Sequence, residues 1–131
     1  MQKIVSIFLI LVTAVGFAQT DVSGALSSDT TWSLSNSPII LTGNVLVPNG
    51  VTLTIEAGVT VRINSEKYLK VQGSLIAIGT ESNKIIFTSN ESSPAKGDWD
   101  KIWLASTSTS FDGSDNYVSG TIFNHCIISY A

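Results

Sequence analysis

The sequence predicts an all-β protein whose short strands lie parallel and stack coil upon coil as a solenoid. Three observations carry this reading. Apolar positions alternate through Val45-Leu46-Val47, Leu53-Thr54-Ile55 and Val59-Thr60-Val61-Arg62-Ile63, the period of a strand with one buried face. Each such run is too short for a helix and is closed by turn-forming residues, as at Pro48-Asn49-Gly50, Glu56-Ala57-Gly58, Gln72-Gly73, Gly79-Thr80 and Ser82-Asn83. The segments also echo one another: Val47, Gly50, Leu53, Ile55 and Gly58 are followed by Val71, Gly73, Leu75, Ala77 and Gly79 at an offset of roughly two dozen residues, a repeat signature.

The chain opens on a different pattern. Met1-Gln2-Lys3 supplies a positive start, Ile4 to Val15 is apolar, and Gly16-Phe17-Ala18 places small residues where a signal peptidase reads, so residues 1–18 are expected to be a signal peptide cleaved after Ala18. The apolar run is short of the roughly 20 residues of a bilayer span and contains Ser6 and Thr13. No cysteine follows it to carry a lipid, so the processed chain is expected to have no membrane span and to be secreted or displayed at the cell surface.

Further strand-like runs follow at Tyr68–Val71, Ser74–Ile78, Lys84–Thr88, Lys101–Leu104, Gly120–Phe123 and Cys126–Ser129. Segments 90–96 and 106–118 are polar and Ser-rich and read as loops extruded from the coils. Asn49-Gly50 and Asp112-Gly113 are hairpin signals, which makes a β-sandwich a competing architecture. The repeat favours stacking, because coils of about 20–25 residues place like positions above one another and bury a continuous column of Val, Ile and Leu. Asn, Ser and Thr at the turns can then hydrogen-bond along the stack.

The strings Leu53–Val61, Val71–Thr80, Ile85–Ser89 and Gly97-Asp98-Trp99 resemble the opening coils of secreted right-handed parallel β-helix repeat proteins of the pectin-lyase-like superfamily. The likeness covers about residues 32–131. It implies a right-handed parallel β-helix of about four coils, with residues 19–40, Trp32 among them, as an N-terminal cap region and 41–131 as the coils. The resemblance also implies a longer parent chain, with the coils truncated at the C-terminus here. Members of this group carry Pro where this chain has Ala57, a departure confined to one turn.

Charge excludes one class of partner. Without Lys3 the processed chain has six basic residues, Arg62, Lys67, Lys70, Lys84, Lys96 and Lys101, scattered among ten acids, whereas nucleic-acid binding needs clustered cations. Cys126 is the sole cysteine, so no intrachain disulfide forms, and it reads as a small packed side chain.

The candidates for chemistry are few. Asp98 and Asp100 flank Trp99, and strand alternation would send both carboxylates the same way, as an acid/base pair or cation site requires; a solvated turn explains them as well. Asp112, Asp115 and Asn116, with Ser110 and Ser114, offer oxygen atoms for calcium, but the spacing fits no EF-hand and an ordinary Asx-rich loop is the simpler reading. His125, the single histidine, rules out a multi-histidine zinc site and reads as a turn residue. Among the aromatic residues Trp99, Trp103, Tyr68 and Tyr117, which could stack on sugar rings, Trp103 lies within a strand and is expected to pack; Trp99 is open to either role. Asn90-Glu91-Ser92 is a glycosylation sequon.

No catalytic, metal or cofactor residue is therefore assigned, and the expected function is a non-catalytic secreted or cell-surface scaffold. Its expected partners are polysaccharide or a cell-surface component, together with further β-helix coils of the parent chain. The alternative is the catalytically incomplete front of a polysaccharide-degrading lyase or hydrolase.

Overall fold

The computed structural model describes residues 18–105 and 107–131. The expected signal peptide therefore lies outside the described residues, apart from Ala18. Thirteen strands follow: β1 (Thr20–Ala25), β2 (Thr30–Trp32), β3 (Ile39–Val47), β4 (Thr52–Ile55), β5 (Thr60–Ile63), β6 (Leu69–Val71), β7 (Ser74–Ile78), β8 (Ile85–Ser89), β9 (Ile102–Leu104), β10 (Thr109–Phe111), β11 (Tyr117–Gly120), β12 (Ile122–Asn124) and β13 (Cys126–Ile128). A single 3-10 turn at Leu34–Asn36 is the helical element among the described residues.

The strands form three faces of a parallel β-helix. On the first, the start of β1 pairs with the start of β3, then β5, β8 and β13 follow in order. On the second, the end of β1 pairs with the end of β3, followed by β6 and β9. The third runs β2, β4, β7, β12. Turns of the helix begin at Thr20, Ile39, Thr60 and Ile85, and β13 opens the next one. Residues 20–32, within the segment expected as a cap, pair in parallel with β3 and β4 at one end of the stack.

Alternation decides which side chains enter the core. Leu41 stands over Ile63, Val45 over Leu69 and Ile102, Val47 over Val71, and Leu53 over Leu75. Most of these are fully buried, each removal from water contributing about 1.5–3 kcal/mol. One column trades volume between coils: Trp32, Ile55, Ala77 and Phe123 share a register, and the small Ala77 leaves room for Phe123 to meet Phe87 edge-on at 6.1 Å.

Polar corner residues tie the coils together as the sequence suggests. Asp29 accepts the Thr52 N–H, Glu56 that of Leu34, Ser37 that of Thr60 and Asn44 that of Tyr68, all between residues 22 to 24 apart in sequence. Asn90 donates its side-chain amide to Asn64 at 2.8 Å. Each bond satisfies an N–H or amide at a corner where no strand partner reaches it.

The two hairpin signals part ways. At Pro48–Val51, Gly50 has φ +80° and the Val51 N–H reaches the Pro48 carbonyl at 3.1 Å, and at Glu56–Val59 Gly58 has φ +83° with the matching bond at 3.3 Å. Both are type II turns, which need glycine at the third position, and both join strands on different faces. Asp112-Gly113 instead lies between β10 and β11, the antiparallel pair among the described strands. Of the segment expected as a loop, residues 109–118 thus belong to a hairpin. Asp112 stabilises it by accepting the N–H groups of Ser114 at 2.8 Å and Asn116 at 3.0 Å.

Candidate functional site

The feature best suited to contact another molecule is on the outer side of the second face. Because Ile102 and Leu104 continue the inward columns of Leu69 and Val71, parity turns Trp103 outward, beside Lys70 and in the row of Leu46. Trp103 is 44% exposed and lies outside the core, so the packing expected of it is limited to its contact with Lys70 on the neighbouring coil. The Lys70 ammonium lies 4.0 Å from its ring centroid and that of Lys101 5.8 Å. Cations this near an indole face at the surface gain about 0.5–1 kcal/mol each. Tyr68 and Lys101 precede β6 and β9, and the Leu69 N–H donates to the Lys101 carbonyl at 3.1 Å.

Trp99, open to either role in the sequence, is fully packed. Its ring is 1% exposed within the core, and its indole N–H donates to the Ser129 carbonyl at 2.8 Å. It fastens the 90–98 excursion to the segment after β13, so it offers no stacking face.

Asp98 and Asp100 do not act as a pair. Asp98 accepts from the Ser89 hydroxyl at 2.7 Å and the Ala95 N–H at 2.8 Å, and these bonds, Ser89 first, hold its carboxyl below the usual carboxylate range against the opposing effect of desolvation. Asp100 pairs with Lys101 at 3.4 Å. The Asp112 carboxyl is likewise held low, chiefly by the Asn116 backbone N–H, then by the Asn116 side chain and Ser114. Both lowered carboxylates are therefore engaged in shaping their own loops.

His125 sits at the bend between β12 and β13 with φ +51°, and its carbonyl accepts the Ile85 N–H at 3.1 Å. Cys126 is partly packed against the core; burial raises its thiol pKa, opposed by the Asn124 backbone. Tyr117 donates to the Gly120 carbonyl at 2.7 Å inside the hairpin. Among the described residues no three His, Cys, Asp or Glu side chains gather as a metal site, and no enclosed pocket is present. Lys70 and Lys101 are functional candidates that the sequence alone did not single out. The Lys70 partner, Trp103, lies beyond the 90–98 excursion, which disrupts the repeat spacing that would have aligned them.

A family model described as a pectate-lyase like beta helix domain matches residues 24–121. Among curated proteins, Protein bark beetle of Drosophila melanogaster is 38% identical over 66 residues, which make up 50% of this chain and 2% of that protein. The chain therefore aligns with a small fraction of that relative. No solved structure matches significantly.

Proposed function

Given that the chain belongs to the pectate-lyase-like β-helix domain family, we propose that it is an exported, non-catalytic scaffold whose outer coil surface contacts carbohydrate. One observation supports the non-catalytic reading: four of the ten carboxylates, among them Asp98 and Asp112 from the two candidate clusters, are engaged with the backbone. Asp29, Glu56, Asp98 and Asp112 each accept main-chain N–H groups. A general acid or base must instead face substrate within hydrogen-bonding reach. The outward Trp103 with its two lysines offers binding without proton transfer. Export rests on the apolar segment Ile4 to Val15 and the small residues before Gln19.

The test is incubation of the purified chain with polygalacturonate, alginate and neutral glucans, with and without calcium, following unsaturated products and reducing ends. No release above buffer is expected. Cleavage that disappears in Asp98→Ala or Asp112→Ala would overturn the scaffold reading in favour of the second one, a front portion of a polysaccharide-degrading enzyme, which the family description favours.

A further inference from the structure

We propose that the β10–β11 hairpin is a dimerisation arm: the free edge of β10 takes the β10 edge of a second copy of this chain in antiparallel pairing, joining the two hairpins in one sheet. The hairpin stands apart from the stack as a two-stranded sheet of its own. Two strands alone are marginal in water, and further strands with apolar surface to share are needed for stability. That surface is present: Phe111 and Val118, 58% and 59% exposed, are the most exposed large hydrophobic side chains among the described residues. The root of the arm is tied to the stack, since the Thr121 N–H donates to the Ser108 carbonyl and the Thr121 hydroxyl accepts the Leu75 N–H, each at 3.1 Å.

The distribution of charge selects the partner and its direction. In β11 a bulge interrupts the edge, because Ser119 and Tyr117 face Ser110 and Phe111 and leave Val118 over. β10 has no such interruption, and Thr107 to Phe111 holds neither charge nor proline, the usual guards of an exposed strand edge. The charges sit instead at the tip, on Asp112 and Asp115, both exposed. Parallel pairing of two hairpins would bring their acidic tips together, whereas antiparallel pairing carries each tip to the far end of the other ribbon. A neutral strand with its acids displaced to one end is therefore complementary to a second copy of itself. A two-fold axis at Ser110, the middle residue of β10, sets Ser110 opposite its counterpart and Thr109 opposite the second copy's Phe111. That axis closes the contact, so association through it stops at two copies.

The experiment is sedimentation equilibrium of the purified protein from micromolar to near-millimolar concentration, and a dimer is expected. Ser110→Asp and Ser110→Lys each put like charges face to face at the two-fold axis and are expected to weaken the dimer by about 5-fold, while an equal mixture of the two pairs at least as well as the parent. Phe111→Ser is expected to weaken it by about 10-fold. Both positions are exposed, and unchanged circular dichroism and thermal midpoints establish that the variants are folded. Ile128→Lys, which alters the end of the stack and leaves β10 intact, is expected to keep the dimer. A parent that stays monomeric throughout, a mixture that associates no better than either charge variant alone, or full affinity in Phe111→Ser would overturn the proposal. So would loss of the dimer, or growth past two copies, in Ile128→Lys.

Discussion

Replacing Trp99 tests whether the 90–98 excursion is part of the stack or an appendage to it. Trp99→Phe keeps most of the buried ring but removes the N–H that reaches the Ser129 carbonyl at 2.8 Å. Ser129 is partly accessible to water, so the loss is expected near the low end of the cost of an unmet bond, about 1 kcal/mol, plus a smaller packing loss. Trp99→Ala empties a site that is 1% exposed, and the cavity is expected to cost about 3–5 kcal/mol. For a chain of this size that is a large part of the total stability, typically about 5–15 kcal/mol. With a urea m-value near ~2 kcal/mol/M, the Ala variant should unfold about 2 M earlier. Hydrogen exchange adds location: β13 amides should lose protection in Trp99→Phe before those of β4 and β7 do. A Trp99→Ala midpoint within about 0.3 M of the parent, below 1 kcal/mol by the same slope, would refute the idea that this residue fastens the excursion to the last strand.

Three other outcomes are expected. Ala57 occupies the second position of a type II turn closed by the Val59 to Glu56 bond, where proline is favoured, so Ala57→Pro should stabilise by about 0.4–1 kcal/mol; a lowered thermal midpoint would contradict the turn assignment. The folded-state pKa of Asp98 lies below its ordinary value of 3.8, so its contribution is fully present above that value and fades as pH falls through the lowered one. Asp98→Asn should therefore flatten the acid side of the stability profile, and an unchanged slope in urea melts between about pH 5 and pH 2 would refute this. Leu104 and Ile128, at inward positions of the last strands of their faces, are 45% and 51% exposed, so the isolated chain should self-associate at high concentration and Ile128→Lys should reduce it. Light scattering showing a clean monomer of the parent chain would count against that edge being sticky.

The sequence by itself determined the strand class, the coil length and most of the core. Val45 and Val47, Leu53 and Ile55, Val61 and Ile63, Leu69 and Val71 are buried where alternation places them, because side-chain direction in a strand depends on parity alone. The turns at Gly50 and Gly58, though not their type, were equally legible, since few residues other than glycine take their φ. Tertiary structure decided what parity could not. Trp99 and Trp103 are four positions apart in one short stretch, yet the first is core and the second surface, because the register of β9 is set by β6 and the loop before it folds back onto Ser129. The Asp112-Gly113 signal made a hairpin while Asn49-Gly50 did not, because the neighbouring coil holds β3 and β4 to different faces. The meeting of Lys70 with Trp103 was hidden for the same reason. Local sequence fixes which way a side chain points, but pairing across an excursion of variable length fixes what it meets.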